Sequence, residues 1–188
     1  MTYARKRKIG KEKTNEYASV EDFCSVFNEG PNELYGLSFQ LTCDQDKAEQ
    51  CFVAGREDCM KATHVFKKWA RSWAKRTVIQ KAIRELKPRP RIAISSSFTV
   101  PIYIGKWAGD VDTRLESDAV LALDVFERFV FVMSILEGYS EHDCSLLLGC
   151  TCRHVEEART RACAQLSSAH RTVLSNEIQL EKVREMNR

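Results

Sequence analysis

The sequence predicts an all-α protein made of two small helical domains joined by an extended linker, with a helix-turn-helix in the second domain. Apolar residues recur at spacings of three and four through residues 20–86, which is the period of an amphipathic helix. Between Ile92 and Ile104 the period changes to two, which indicates extended backbone. Residues 140–166 then carry the caps and turn glycine of a helix pair. The predicted parts are a disordered basic tail (1–18), a helical domain (19–86), an extended linker (87–117) and a helix-turn-helix domain with a C-terminal helix (118–188).

The composition suits a globular protein and concentrates positive charge in two blocks. The chain has 188 residues, of which 44% are hydrophobic, and a net charge of only +3. Lysine and arginine nevertheless crowd residues 5–13 and 61–91. This distribution indicates an anionic partner, with nucleic acid the first candidate, although a solvated helix face is the alternative for any single run.

The chain shows no secretory signal, and its most apolar segment, Val125 to Leu136, is interrupted by two charges and is too short to span a bilayer. We therefore expect a cytoplasmic protein whose eight cysteines are mostly reduced.

Punctuating residues divide the first domain into helices. Gly30-Pro31 separates a first amphipathic turn around Phe23 from a helix that ends near Thr42-Cys43. Asp44 is expected to cap the next helix, and Pro88 to end the last one. The regularly spaced residues of that last helix are Phe66, Trp69, Trp73, Thr77, Gln80 and Arg84.

The period-two segment is predicted as a linker because Pro101 argues against a central strand and no partner strand is visible. The tail from Ser167 to Arg188 is predicted as one more polar, partly exposed helix.

The second domain contains a helix-turn-helix pattern. Ser140 is expected to cap a short helix, with Asp143 in the position of a capping acid. Gly149 supplies the left-handed turn, and Thr151 caps a second helix that runs to about Leu166. Such a module places its second helix in the DNA major groove. An ordinary helical hairpin buried in a core is the alternative.

Two sets of motifs occur together in this chain. The second domain has Glu127-Arg128 before a hydrophobic run, Glu137-Gly138-Tyr139-Ser140, and Leu147-Leu148-Gly149-Cys150-Thr151. The first domain has Leu34-Tyr35 through Leu41-Thr42, and Phe66-Lys67-Lys68-Trp69 followed by Ala74-Lys75-Arg76. In these motifs, over residues 34–86 and 123–166, the chain resembles the extracytoplasmic-function sigma factors of bacterial RNA polymerase.

The resemblance implies a transcription initiation factor that binds core RNA polymerase and directs it to promoter DNA. The implied partners are core RNA polymerase, promoter DNA and an anti-sigma protein, with no membrane contact, and the free protein is expected to be a monomer. No cofactor or metal is implied. No catalytic constellation is visible either, so we expect no enzymatic activity.

The resemblance also assigns candidate contact residues. Recognition-helix contacts with DNA are expected from Thr151, Arg153, His154, Arg159 and Arg161. Contacts of the first domain with DNA are expected from Lys67, Lys68, Arg71, Lys75, Arg76, Lys81 and Arg84. Contacts with the polymerase are expected from Glu49, Gln50 and Val53. Trp69 and Trp73 suit stacking on unpaired bases, with plain core packing as the alternative.

The chain departs from the family pattern at two surfaces. Glu156, Glu157 and Ala158 replace a Lys-Ser-Arg run, and carboxylates oppose the counterion release that drives DNA binding. A glutamate can still accept a hydrogen bond from a cytosine amino group. Residues 50–55 are largely apolar where the family has a polar polymerase-binding patch. These departures favour a rival interpretation, a diverged protein that keeps the fold and acts as a protein-interaction module. A third option is a stand-alone helix-turn-helix regulator that dimerises to bind two half-sites.

Cysteine chemistry is a further alternative. Cys150, Cys152 and His154, with Cys144 nearby, suggest a zinc site, but structural zinc sites space their cysteines differently. Cys144 and Cys150 occupy positions that the helix-turn-helix needs apolar, where cysteine serves as a small hydrophobe. Redox sensing through Cys150 or Cys152 at a helix N-terminus stays open.

Overall fold

The computed structural model describes residues 16–29, 31–90 and 119–168. Within these ranges the backbone forms helices and one isolated β-bridge, so the predicted all-α class is confirmed. Three predictions lie outside the described residues: the tail up to residue 15, the alternating segment 92–104 and the helix beyond residue 168.

Residues 16–90 form the helices α1 (Val20–Glu29), α2 (Pro31–Thr42), α3 (Gln45–Met60) and α4 (Ala70–Leu86). A reciprocal cap begins α1, because the Ser19 amide donates to Asp22 at 3.0 Å and the Asp22 amide donates to Ser19 Oγ at 3.2 Å. The predicted Asp44 cap is confirmed, since its Oδ1 accepts from the Lys47 amide at 3.0 Å.

The last helix of this part begins later than the sequence predicts. Phe66 is extended, with φ −62° and ψ 138°, and pairs with Tyr17 in the isolated bridge. A 3-10 turn, Lys67–Trp69, then leads into α4. Tyr17 and Ala18, which the sequence places in the tail, therefore belong to the folded part. The helix ends where Lys87 adopts a left-handed conformation before Pro88.

Residues 119–168 include two helices joined by a tight turn, at the position where the helix-turn-helix is predicted. α5 (Val125–Phe131) continues into a π-helical turn (Val132–Leu136), followed by α6 (Glu141–Leu148) and α7 (residues 152–168). Ser140 Oγ accepts from the Asp143 amide at 3.1 Å, and Gly149 is left-handed at φ 64°. Thr151 Oγ1 accepts from the His154 amide at 3.3 Å, so the caps and the turn are confirmed as predicted.

The helices of the two parts share one hydrophobic core. Leu37 and Leu41 from α2 and Ile79 and Ala82 from α4 are buried in the same cluster as residues of α5 to α7. With the π-helical turn and Val120 included, those residues are Val120, Phe126, Phe129, Val130, Val132, Met133, Cys144, Leu148, Val155 and Ala158. A smaller cluster inside the first part is centred on Phe23, Phe27, Leu34 and Val78.

Arg128 links the two parts by hydrogen bonds. Its Nε donates to the Leu41 carbonyl at 3.2 Å, and one terminal nitrogen donates to the carbonyls of Leu123 at 3.0 Å and Leu121 at 3.3 Å. The thiol of Cys43 also reaches the Leu121 carbonyl, at 3.5 Å. Burial lowers the pKa of Arg128, and these carbonyls compensate for the water that its guanidinium has lost. The arginine of the Glu127-Arg128 motif therefore helps to hold the two parts of the chain together.

Within the described ranges, no helix combines the length and the apolar character that crossing a membrane requires.

Candidate nucleic-acid interface

The helix-turn-helix exposes one side of α7 and buries the other. Val155, Ala158 and Ala162 are fully buried in the core, whereas Thr151 and His154 are exposed at the N-terminal end of the helix. Ala158, which replaces an arginine of the family motif, consequently faces the protein interior. The change from arginine to Ala158 therefore leaves the charge of the exposed side of α7 unaltered.

Each arginine predicted to contact DNA from α7 is bound to a carboxylate of the same chain. Arg153 Nε donates to Glu157 at 2.8 Å, and this hydrogen bond lowers the pKa of Glu157 and raises that of Arg153. Arg159 donates to Glu141 at 2.5 Å. Arg161 Nε donates to Glu127 Oε1 at 2.7 Å.

These three ion pairs differ in burial. The Arg153 side chain is 84% exposed, so its pair with Glu157 exchanges readily for another anion. Glu127 is only 1% exposed, and its Oε2 has no hydrogen-bond partner among the described residues, so Arg161 neutralises a buried carboxylate. Sequence reasoning missed the partners of Arg159 and Arg161, because Glu141 and Glu127 lie 18 and 34 residues away.

Four of the seven basic residues predicted to contact DNA from the α4 region are also paired with acids. Lys67 pairs with Asp22 at 2.7 Å, Arg71 with Glu33 at 2.7 Å, and Lys81 with Asp58 at 2.6 Å. Lys75 bridges Glu33 at 2.7 Å and Glu137 at 2.9 Å. Within the described part of the chain, Lys68, Arg76 and Arg84 have no carboxylate at ion-pair distance.

The exposure of Trp69 and Trp73 decides between base stacking and core packing, the two alternatives that the sequence leaves open. Trp69 is 54% exposed and Trp73 is 43% exposed, so neither is a core residue. The Lys68 ammonium lies 4.9 Å from the centre of the Trp69 ring, and Phe66 meets the same ring edge-on at 5.2 Å. Exposed indoles beside unpaired cations provide stacking surfaces for bases.

A cleft of about 460 Å³ lies between α4 and the turn before α6. Trp69, Trp73 and Arg76 line one wall, and Glu137 and Tyr139 line the other. Burial raises the pKa of Tyr139, against the opposing effect of the nearby positive charge of Arg76.

The three residues predicted to bind polymerase lie together on α3. Glu49, Gln50 and Val53 are exposed and line one shallow groove, and Val53 is 45% exposed. Asp46 and Glu57, which sequence reasoning did not single out, extend the same face by one turn at each end. Asp46 lies three residues before Glu49 and Glu57 lies four residues after Val53, so helical spacing alone predicts that they share this face.

Of the three cysteines in and near the turn before α7, Cys144 is buried and Cys150 is half-buried, whereas Cys152 is exposed. Burial raises the pKa of Cys144 to about 11 and raises that of Cys150 above its ordinary value, which disfavours the reactive thiolate. No group of three or more potential ligands that could hold a metal ion occurs among the described residues.

Comparisons with known proteins give one match to report. No protein-family model matches the chain, and no curated protein matches it. Among solved structures, the chain is similar to the sigma factor RpoE from Bartonella quintana, determined as a co-crystal with the anti-sigma factor NepR. The identity is 19% and the TM-score 0.45, over 80% of this chain and 98% of that one.

Proposed function

We propose that this protein is a sigma-like transcription initiation factor, which binds core RNA polymerase and directs it to promoter DNA. The observation that carries the proposal is the geometry of α6 and α7. A capped short helix, a left-handed Gly149 and a second helix with Thr151 and His154 exposed at its start are the arrangement that presents a recognition helix to a major groove.

Two further surfaces support the same role. Exposed Trp69 and Trp73 beside the unpaired cations Lys68 and Arg76 suit unpaired DNA. The exposed face of α3 at Glu49, Gln50 and Val53 suits a protein partner, because it combines charge with an apolar centre. The motif resemblance identifies that partner as core RNA polymerase. The proposed role requires no catalytic residue, cofactor or metal.

Co-elution with bacterial core RNA polymerase on a sizing column tests the proposal. We expect a stoichiometric complex with the unmodified protein and its loss with Val53→Arg, which places a charge at the apolar centre of the α3 face. Glu85→Lys is the matched control, because it changes an exposed residue on another helix. Elution of the unmodified protein as a free species at moderate salt would contradict the proposal.

The ion pairs of α7 favour a second candidate, a protein-interaction module with a sigma-like fold. Arg153, Arg159 and Arg161 are neutralised, whereas the exposed Glu156 carboxylate has no ion-pair partner within the described residues, so the exposed side of α7 carries little positive charge. Changing Glu156→Lys together with Glu157→Ser adds a cation and releases Arg153. If α7 faces DNA, this double variant binds duplex DNA more tightly in a gel shift. An unchanged affinity would favour the interaction module.

A further inference from the structure

We propose that the cleft between α4 and the turn before α6 binds a free purine nucleotide. This inference goes beyond the proposed function, because it concerns the isolated protein and requires neither polymerase nor promoter DNA. The cleft volume of about 460 Å³ lies within the range of small-molecule sites, which is roughly 300–1,000 Å³.

One wall of the cleft offers an unpaired cation. Arg71 and Lys75 are occupied by Glu33 and Glu137. Arg76 is half-buried in the same wall and has no carboxylate partner within the described ranges. A guanidinium in this state binds the oxygens of a phosphate in a fork, and partial burial strengthens the interaction.

The same wall offers stacking surface for a planar ring. Trp69 and Trp73 are four residues apart and both line the cleft, with half of each side chain accessible. A base that stacks on an indole beside Arg76 brings its phosphate within reach of the guanidinium. Purines stack over a larger area than pyrimidines do, which favours the larger ring.

The opposite wall adds a hydrogen-bond acceptor. Asp143 lines the cleft, and its Oδ2 accepts a hydrogen bond from the Ser140 hydroxyl, whose oxygen caps α6 by accepting from the Asp143 amide. A carboxylate accepts from the exocyclic amino group of guanine or adenine. Because this wall belongs to residues 137–143 and the other to α4, a bound nucleotide contacts both parts of the chain. A DNA strand that follows α4 needs only the first wall.

Tryptophan fluorescence of the full chain tests the proposal. The Trp107→Phe background leaves Trp69 and Trp73 as the two remaining tryptophans. The probes are GMP, AMP, UMP, inorganic phosphate and a short oligo(dA), with a free tryptophan analogue to correct for absorption. We expect saturable quenching by GMP and AMP, and weaker quenching by UMP.

Variants separate the two walls. Arg76→Gln should weaken GMP binding about tenfold and Arg76→Lys should restore part of it, because a charged hydrogen bond is lost and regained. Asp143→Ala should weaken GMP binding and leave oligo(dA) binding unchanged, with circular dichroism confirming that each variant folds. Three outcomes would overturn the proposal: no saturable quenching by nucleotides, GMP affinity unaffected by Arg76→Gln or Asp143→Ala, or binding of oligo(dA) alone.

Discussion

At the level of single residues, the arginines of α7 differ in how deeply their carboxylate partners are buried. Arg161 neutralises the buried Glu127, so Arg161→Ala leaves a carboxylate without its counterion in the core. We expect the variant to lose about 3 kcal/mol in the free energy of unfolding, measured with urea. Replacing both residues by apolar ones, Arg161→Met with Glu127→Leu, should recover most of the loss. Equal stability of Arg161→Ala and the unmodified protein would refute the structural role.

Arg153 provides the cleaner test of DNA contact, because its ion pair is exposed and its removal costs little stability. If Arg153 contacts a phosphate in a complex with duplex DNA, Arg153→Ala should reduce the salt dependence of log K by about one unit. Arg153→Lys is the control and should preserve the slope. A slope that Arg153→Ala leaves unchanged would exclude the phosphate contact.

At the level of helices, α3 and α4 pack closely against each other at Gly55. A Cβ atom at Gly55 would lie 2.9 Å from Val78 Cγ2, closer than side chains pack. We expect Gly55→Ala to cost about 1 kcal/mol, because overpacking outweighs the helix propensity that alanine gains. In a Val78→Ala background the same change should become stabilising. Urea unfolding of the four proteins measures this reversal of sign, and parallel losses in both backgrounds would argue against the clash.

Sequence reasoning located the helices well because their ends are set locally. Asp44, Ser140 and Gly149 act on residues within one turn, so their types and spacing predict the caps and the turn. The start of α4 could not be predicted in this way, because Phe66 is held in an extended conformation by Tyr17, far away in sequence.

The sequence indicates which residue types form the candidate site, but it does not indicate which of its charged residues are paired with each other. The family resemblance singled out Glu49, Gln50 and Val53, and these residues lie on one exposed face of α3. Helical periodicity shows which side of α7 is buried, but it does not show which distant carboxylate meets Arg159 or Arg161. It also left the exposure of Trp69 and Trp73 undecided.

At the level of the whole molecule, a network of charges joins α2, α4 and the turn before α6. The hydrogen bond from Lys75 lowers the pKa of Glu33 below its ordinary value of 4.5. Burial by itself would lower the pKa of Lys75. The hydrogen bonds to Glu33 and Glu137 outweigh this effect and raise the pKa above its ordinary value of 10.5. The stabilisation that these ion pairs give the folded protein is therefore complete between pH 4.5 and pH 10.5. It is lost as the pH falls through the folded pKa of Glu33 or rises through that of Lys75.

The acid side of this window can be tested with Glu33→Gln. We expect the variant to have a Tm about 2 °C below that of the unmodified protein at neutral pH, since an exposed pair contributes little. The difference should shrink as the pH falls below about 4, where Glu33 is protonated in both the folded and the unfolded state. Glu49→Gln is a matched control, because Glu49 is exposed beyond the first turn of α3 and has no ion-pair partner among the described residues. A difference in Tm that does not vary with pH would rule out the charge network.

The shared core has a consequence for the synthesis of the protein. Leu37, Leu41, Ile79 and Ala82 are covered by residues from Val120 onward, so 33 residues separate the end of α4 from the beginning of its cover. At about 5–20 residues per second, a ribosome takes roughly 2–7 s to add this stretch. During that interval the nascent helices present an apolar surface to the cell. The chain should therefore depend on holdase chaperones while it is being translated, and a ribosome-bound fragment that ends near Leu86 should bind them more strongly than one that extends past Leu166.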